Sequence, residues 1–246
     1  MFFARHKRGY GVHSPFAFDL ITNVIEERHP YYVFQKIESL RKKLVKDRKE
    51  LFVTDFGTGE SGKRKVAHIA TKSLSKKRYA QLLFRLVRTF KPNTIIELGT
   101  SLGITTAYLA SVDSKATVYS FEGCPQIAQI AQQVLSSCAL QNVNIIVGNI
   151  DITLAKHLAN LDSLDFVLFD ANHTKEATLR YFNLCLSRVH EKTVFVFDDI
   201  HYSREMEDAW TVILSHSQVT VTFDLFTLGI VFFDMKLTKH NYRLLF

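Results

Sequence analysis

From Pro92 onwards, short apolar segments alternate with amphipathic ones, and this alternation constrains the fold more than any other feature of the sequence. Five segments are rich in Val, Ile and Phe and apolar on both faces: Thr94–Leu98, Thr117–Glu122, Asn144–Val147, Asp165–Asp170 and Thr193–Asp198. Strands buried on both faces of a parallel sheet have this composition. Helical patterns follow them near residues 104–112, 125–139, 151–159, 174–188 and 203–215. The series predicts an α/β fold with a mostly parallel sheet.

The two ends of the chain depart from this alternation. Val219–Phe226 and Ile230–Asp234 are rich in β-forming residues and lie close together, which predicts an antiparallel pair that closes the sheet. Before Pro92 the pattern is helical. Ser14-Pro15 is typical of a helix start, and further helices are predicted over 32–49, 65–74 and 75–90. In the last of these, one apolar stripe includes Tyr79, Leu82, Leu83, Leu86, Val87 and Phe90.

The charge divides at the same point. Residues 1–91 contain 21 Lys or Arg and 8 Asp or Glu, whereas residues 92–246 contain 10 and 16. We therefore predict a basic, helical N-terminal segment over 1–91 and a separate domain over 92–246. The basic segment could face nucleic acid, an anionic membrane or an acidic substrate. Solvated helix faces are the ordinary alternative, and we favour them.

Composition and cysteine usage exclude several classes of protein. A chain that is 47% hydrophobic and 22% charged can bury a sizeable core and is not intrinsically disordered. The three cysteines are far apart and form no C-x-x-C pair, which fits a reducing cytoplasm rather than a disulfide scaffold. No apolar run approaches the roughly 18–20 residues of a membrane span, and the first residues lack the apolar core of a signal peptide.

A glycine-containing turn and a later acid suggest a nucleotide-like ligand. The first strand of the series runs into Glu97-Leu98-Gly99-Thr100-Ser101-Leu102-Gly103, and a helix follows at once. Backbone amides at such a turn suit a carboxylate or phosphate. Glu122 ends the next strand, where an acid can accept the hydroxyls of a ribose, and Asn149-Ile150 follows the third strand. The alternative is that Glu97 and Glu122 are ordinary strand ends.

At these residues the sequence resembles a known family. E-L-G-T-S-L-G, F-E-G, V-G-N-I, F-D-A-N-H and F-D-D-I-H, in this order, resemble class I S-adenosylmethionine-dependent methyltransferases, in particular an O-methyltransferase branch. The resemblance covers about residues 92–235 and implies a Rossmann-like methyltransferase fold, with a mostly parallel seven-stranded sheet and an antiparallel last strand. The N-terminal segment, with H-S-P-F-A-F-D-L and V-T-D-F-G-T-G, resembles a group of uncharacterised bacterial methyltransferase-like proteins. This second resemblance implies no particular substrate.

The resemblance also implies a cofactor site. Gly99, Ser101 and Gly103 would border the methionine part of S-adenosylmethionine, and Glu97 corresponds to the acid that opens the family's first motif. Glu122 would hold the ribose, and Asn149 and Ile150 would flank the adenine. Asp170 is counted among the cofactor-contacting residues as well.

Acidic residues end the fourth and fifth strands of the series. Asp170 ends one and Asp198-Asp199 ends the other, so we expect three carboxylates at one edge of the sheet, a ligand set that suits Mg²⁺. In the resembling branch these positions bind such a metal. His173 lies where relatives place a lysine base, and we predict His173 and Asp170 as catalytic residues. The alternative is that the acids cap helices and that His173 and the nearby His201 bond to loops.

A further glycine-rich stretch, Gly57–Lys63, imitates a phosphate-binding loop. Arg64 stands where such a loop needs Ser or Thr, so nucleotide hydrolysis is not predicted. We interpret it as a surface loop, with a lid or an anion-binding nest as the alternative.

Together these patterns predict an S-adenosylmethionine-dependent methyltransferase that methylates an oxygen of a small molecule, with Mg²⁺ assistance as an option. The alternatives are an RNA methyltransferase that grips phosphates with its basic segment, and a cofactor-binding protein without turnover. We expect residues 14–91 to pack over the carboxyl edge of the sheet and shape the substrate pocket. A homodimer contact through the same segment is the other option.

Overall fold

The computed structural model describes residues 7–54, 56, 59 and 61–246. The first six residues, Asp55, and Gly57, Thr58 and Glu60 of the predicted Gly57–Lys63 loop therefore lie outside the described residues. The chain forms two compact units. The central unit is Pro30–Asp162, and the terminal unit combines the described residues of Met1–His29 with Ser163–Phe246.

The central unit contains six helices and five strands within its described residues. The helices are α2 (Tyr32–Leu44), α3 (Val66–Lys72), α4 (Lys77–Phe90), α5 (Ile104–Ala110), α6 (Pro125–Ser137) and α7 (Ile150–Leu158). The strands are β1 (Glu50–Val53), β2 (Gly62–Lys65), β3 (Thr94–Leu98), β4 (Thr117–Glu122) and β5 (Val143–Val147). β3, β4 and β5 are parallel neighbours in that order, so their carboxyl ends lie together at one edge.

The terminal unit contains the remaining elements. Its helices are α1 (Pro15–Leu20), α8 (Lys175–Leu186) and α9 (Arg204–Ser215), with a 3-10 turn at Lys7–Gly9 and a π-helical turn at Ile21–Ile25. Its strands are β6 (Phe166–Phe169), β7 (Val194–Phe197), β8 (Val221–Asp224), β9 (Gly229–Phe232) and β10 (His240–Arg243). They lie in the order β10-β8-β9-β7-β6, and β9 is antiparallel to both of its neighbours.

The predicted fold class is confirmed, with one addition. Eight of the strands build a mostly parallel, mixed sheet, of which the seven predicted strands are β3 to β9. The antiparallel strand is β9, the last of those seven. The eighth strand, β10, pairs in parallel with β8. It was not predicted because three of its four side chains are exposed, so its sequence lacks the apolar signal of a buried strand.

Two features before Pro92 match their predictions at the level of single residues. Ser14 caps α1 and accepts a hydrogen bond from the backbone N–H of Ala17, with Pro15 in the first turn. In α4 the predicted stripe is buried from Tyr79 to Val87, and Phe90 is half-buried. Among the described residues, no helix combines the length and the apolar character that crossing a bilayer requires.

The β1–β2 hairpin is a feature that the sequence only half revealed. Leu51-Phe52-Val53 is a short apolar run, but its partner strand, Gly62-Lys63-Arg64-Lys65, has no apolar side chain. The hairpin packs on α6: the backbone N–H of Phe52 donates to Gln126 Oε1 at 2.8 Å. Backbone hydrogen bonding to β1 therefore holds β2, whose side chains show no apolar pattern.

Candidate cofactor site and acid cluster

The turn between β3 and α5 has a backbone that favours glycine. Gly99 has φ 101° and Gly103 has φ 77°, and both values are in the region that L side chains rarely adopt. A Cβ on Gly103 would also lie 3.0 Å from the Cα of Ala131 in α6. The N–H groups of Gly99 and Thr100 both donate to the carbonyl of Phe121 at 3.0 Å, which fixes the turn against β4.

Glu97 lies at the base of this turn and is fully buried. Its Oε2 accepts hydrogen bonds from the hydroxyls of Thr106, at 2.6 Å, and Ser120, at 2.5 Å. Burial raises the pKa of Glu97 to about 7, and the two hydroxyls oppose that rise. Its other oxygen, Oε1, is buried without a hydrogen-bond partner. A buried acceptor in that state is costly on its own and suits a ligand that brings a donor.

Ser101 adds a second polar atom of the same kind. Its φ is 48°, and its hydroxyl is buried without a hydrogen-bond partner. A hydroxyl can donate to a carboxylate, while Glu97 Oε1 can accept from an ammonium group. These two atoms therefore fit the amino-acid end of S-adenosylmethionine, which carries both groups.

Glu122 ends β4 and holds the turn from the other side. Its two oxygens accept from the backbone N–H groups of Ser101 and Cys124, each at 2.9 Å. A carboxylate has about four acceptor positions, so these bonds leave capacity for ribose hydroxyls. The sequence predicted Glu122 as a ligand-binding residue. It did not show that Glu122 also braces the turn.

The end of β5 lies beside Glu122. The N–H of Gly148, which has φ 140°, donates to the Glu122 carbonyl at 2.9 Å. Asn149 caps α7 by accepting from the N–H of Asp151 at 3.0 Å, and Ile150 is buried in the first turn. All seven candidate cofactor residues of the central unit therefore lie at or just after the carboxyl ends of three adjacent strands.

Three contributors to this site were not predicted. Two of them are Thr106 and Ser120, whose hydroxyls bond to Glu97. The Ser120 hydroxyl also bonds to that of Thr100, a residue of the predicted turn, at 2.5 Å. Their signal is present but weak, since a buried acid requires nearby hydroxyls and several Ser and Thr residues could supply them. Phe56 is the third: a Cβ on Gly123 would lie 2.8 Å from its ring, so Gly123 lets that ring approach the residue after Glu122.

The predicted acids of the terminal unit do lie close together. Asp198 follows β7, and its side chain interacts with that of Asp170, which follows β6. Burial and the neighbouring charge of Asp199 raise the pKa of Asp198 to about 7. Asp199 itself has a left-handed backbone, with φ 55°. Carboxyl groups this close repel each other when all of them are ionised, which agrees with the raised pKa of Asp198.

His173 contacts the same pair. Its Nε2 lies 3.5 Å from Asp170 Oδ1. Burial lowers the pKa of His173, and the charge of Asp199 partly opposes that shift. A histidine with a lowered pKa is neutral at pH 7, as a general base must be.

His201 has a different environment. Its Nε2 lies 3.0 Å from Asp224 Oδ2 and its Nδ1 3.2 Å from Glu207 Oε1. Both ring nitrogens are therefore bonded within the protein. This arrangement agrees with the alternative stated for His201, namely bonding to its surroundings.

The acid cluster is not arranged as a metal site in this structure. In the part of the chain that the structure describes, no group of three His, Cys, Asp or Glu side chains could hold a metal ion. Asp170 and Asp198 are neighbours, and the Mg²⁺ site predicted at Asp170, Asp198 and Asp199 stays a prediction.

Comparisons with known proteins agree with this geometry. Residues 96–200 match the family model of a methyltransferase domain. No curated protein matches the chain. An O-methyltransferase from Bacillus cereus, solved with S-adenosylhomocysteine, is similar in structure with a TM-score of 0.59 at 16% identity, over 87% of this chain and 96% of that one.

Two further solved structures show the same fold. A methyltransferase from Podospora anserina, bound to S-adenosylhomocysteine, gives a TM-score of 0.58 at 13% identity, over 84% of this chain and 98% of that one. An O-methyltransferase of tomaymycin synthesis from Streptomyces achromogenes, in complex with S-adenosylmethionine, gives 0.56 at 18% identity, over 65% and 82%.

These findings define the class of protein. The fold is that of these solved methyltransferases, and residues 96–200 match a methyltransferase domain. The resemblance noted in the sequence is thereby confirmed, and so is the predicted enzyme class.

Proposed function

We propose that this protein transfers the methyl group of S-adenosylmethionine to a hydroxyl oxygen of a small molecule. The choice of acceptor rests on His173, a half-buried imidazole whose pKa is lowered and which lies beside Asp170. A hydroxyl becomes a good nucleophile only as it loses its proton, and a neutral histidine can accept that proton.

The cofactor is assigned to the residues that end β3, β4 and β5. Glu97 Oε1 would accept from the ammonium group and Ser101 would donate to the carboxylate, because both atoms are buried without partners. Gly99 and Gly103 shape the turn, Glu122 would bind the ribose hydroxyls, and Asn149 with Ile150 would flank the adenine. When bound, the cofactor supplies an electrophilic methyl on a sulfonium sulfur, so that an O–C bond forms as the C–S bond breaks.

Side chains of the protein would accept the proton that the acceptor hydroxyl loses. With Nε2 towards Asp170, His173 would take the hydroxyl proton on Nδ1 and become an imidazolium. Asp170 would stabilise that charge and hold the ring in place. Asp170 is also proposed as a cofactor contact, as the sequence predicted.

A divalent cation at Asp170, Asp198 and Asp199 remains a separate proposal. The described residues form no group of three metal-binding side chains, so no step is assigned to a metal here. Methyl transfer that survives a strong chelator would support catalysis by His173 alone. Loss of transfer, restored by added Mg²⁺, would support the cation.

The test is transfer of a labelled methyl group to a panel of small hydroxyl compounds by the full chain. His173→Ala should lower the rate roughly 10²- to 10⁴-fold. The matched control is His190→Ala, because His190 forms another histidine–aspartate pair, with Asp165, before β7. Equal loss in both variants, or no loss in His173→Ala, would contradict the assignment of the base.

Two alternatives remain outcomes of the same experiment. Transfer to RNA but to no small molecule would support an RNA methyltransferase. Cofactor binding without transfer to any acceptor would support a binding protein. A homodimer and a cytoplasmic location also stay predictions from the sequence.

A further inference from the structure

The outer face of the β1–β2 hairpin carries an exposed aromatic ring among lysines. The strand register places Phe52 opposite Lys63 and Glu50 opposite Lys65. All four side chains are exposed, whereas Leu51 and Val53 on the other face are buried. The ring of Phe52 therefore lies on the solvent side of a short sheet, and the side chain is 53% exposed.

The surroundings of this hairpin are strongly basic. Residues 41–54 and 61–78 contain 13 Lys or Arg and only 2 Asp or Glu, with Asp55 and Glu60 between the two stretches. These stretches are joined in space within the central unit. The N–H of Val66 donates to the Lys49 carbonyl at 2.9 Å, and Arg41 Nη1 donates to the Ser75 carbonyl at 2.8 Å.

Most of these cations point to solvent. The exposed ones are Lys42, Lys43, Lys46, Arg48, Lys49, Lys63, Lys65, Lys72, Lys76, Lys77 and Arg78. We call the exposed side chains of Phe52, Lys63 and Lys65, with these neighbouring cations, the basic face. Its positive charge is complementary to that of a polyanion, a partner with many negative charges along its length.

Phe52 is held firmly although its ring is exposed. Its N–H donates to Gln126 Oε1 at 2.8 Å, and its carbonyl accepts from the thiol of Cys124 at 3.6 Å. Both backbone groups are thus fixed to the N-terminal part of α6 and the residue before it. A ring mounted in this way loses little further freedom when a flat group stacks on it.

We propose that the basic face binds single-stranded nucleic acid, with bases stacking on Phe52 and phosphates contacting the lysines. Aromatic platforms among cations are the usual means of binding single strands without sequence preference. A duplex would keep its bases stacked internally and leave Phe52 unused. A bilayer surface is disfavoured because a few exposed apolar side chains, Val45, Phe52 and Phe56, offer little of the apolar face that interfacial binding needs. This binding is distinct from the proposed methyl transfer and does not depend on it.

The test uses fluorescence anisotropy of a labelled oligouridine and a labelled oligothymidine with the full chain, over a series of salt concentrations. The double variant Lys63→Gln/Lys65→Gln should reduce the slope of log affinity against log salt by about 1.4, since each lost phosphate contact removes about 0.7. Phe52→Ala should weaken binding roughly 5- to 150-fold with the slope unchanged. Both the ribose and the deoxyribose oligomer should bind, because base stacking and phosphate contacts do not involve the 2′-hydroxyl.

The matched control is Lys115→Gln/Lys156→Gln, which removes two exposed lysines from the same unit outside the basic face. It should bind like the wild type, and all variants should keep the thermal unfolding temperature of the wild type. The proposal is overturned by no binding at low salt, or by equal loss in the control. It is also overturned if Phe52→Ala binds normally, or if the chain sediments with anionic phosphatidylserine vesicles but binds neither oligomer.

Discussion

At the scale of single residues, Glu97 is the clearest sign that this site is built for a ligand. It is fully buried, one of its oxygens is bonded twice, and the other has no partner. A protein that needed only a packed core would place an apolar residue there, because an unsatisfied buried acceptor costs roughly 1–3 kcal/mol. The cost is recovered when a cationic donor binds.

The first prediction concerns the pH dependence of cofactor binding. The pKa of Glu97 is about 7 without ligand, and a bound ammonium group should lower it. Binding should therefore weaken as the pH falls below 7. Calorimetry with S-adenosylhomocysteine across pH 5.5–8 measures this, with about a tenfold change per pH unit as the upper limit. Glu97→Gln should bind more weakly and show a flatter profile. An unchanged profile in that variant would contradict the ammonium contact.

The second prediction concerns stability. The pKa of Glu97 in the folded protein lies above the ordinary glutamate value of 4.5, so its stabilising contribution is complete below pH 4.5 and is lost as the pH rises to about 7. The difference corresponds to at most about 3 kcal/mol. Urea unfolding at pH 5 and pH 8 should show the free energy of unfolding falling with pH, and less steeply in Glu97→Gln. Asp198, whose pKa is also raised to about 7, contributes with the same sign and should keep part of the fall in that variant.

The third prediction separates ribose binding by Glu122 from its bracing of the glycine turn. Glu122→Ala should lower the affinity for S-adenosylhomocysteine roughly 5- to 150-fold, because it leaves both partners unpaired. The loss should be several-fold smaller for the 2′-deoxy analogue, which lacks one of the hydroxyls. Equal losses for the two ligands would mean that Glu122 acts only through the N–H groups of Ser101 and Cys124.

At the scale of elements, the apolar pattern of the sequence predicted the strands that are buried in the core. β3 and β4 begin and end at the predicted residues, and the other predicted strands differ by one or two residues at their ends, because buried parallel strands must be apolar on both faces. β2 and β10 were missed for the opposite reason. Gly62–Lys65 and His240–Arg243 are held by backbone pairing and expose much of their side chains, so no periodicity marks them.

The same contrast applies to the candidate site. Glycines and acids at strand ends are visible in a sequence, since the chain must turn there and ligands bind there. The hydroxyls of Thr106 and Ser120 are not, because only the fold brings them to Glu97. Nor could the sequence show that the pKa of Asp198 is raised, because that depends on how the fold buries this carboxyl group.

A fourth prediction concerns α1 and the π-helical turn that follows it. Ile21 is fully buried there, Phe16 packs edge-on against Phe232 of β9 at 5.0 Å, and Ser14 bonds to Tyr242 of β10. Ile21→Ala should lower the free energy of unfolding by about 2–5 kcal/mol. Asn23→Ala, at an exposed position of the same segment, should change it by less than about 1 kcal/mol. Similar unfolding midpoints for the two variants in urea would show that this segment does not belong to the folded core.

At the scale of the whole molecule, the chain divides its chemistry between its two units. The glycine turn, Glu97, Glu122 and Asn149 belong to the central unit, and the acid cluster with His173 belongs to the terminal unit. The charge is distributed otherwise: the excess of Lys and Arg lies before Pro92, and the candidate site residues all follow it. The predicted boundary at Pro92 therefore remains a hypothesis about function, separate from the packing of the two units.

The central claim is that this chain binds S-adenosylmethionine at the ends of β3, β4 and β5, and calorimetric titration of the full chain with S-adenosylhomocysteine tests it most directly. S-adenosylhomocysteine should bind saturably, one molecule per chain, and S-adenosylmethionine should displace it. The double variant Glu97→Gln/Glu122→Ala should lose more affinity than either single variant, while its thermal unfolding remains cooperative. Folded wild-type protein that produces no binding heat and no thermal shift, or a double variant that binds like the wild type, would contradict it.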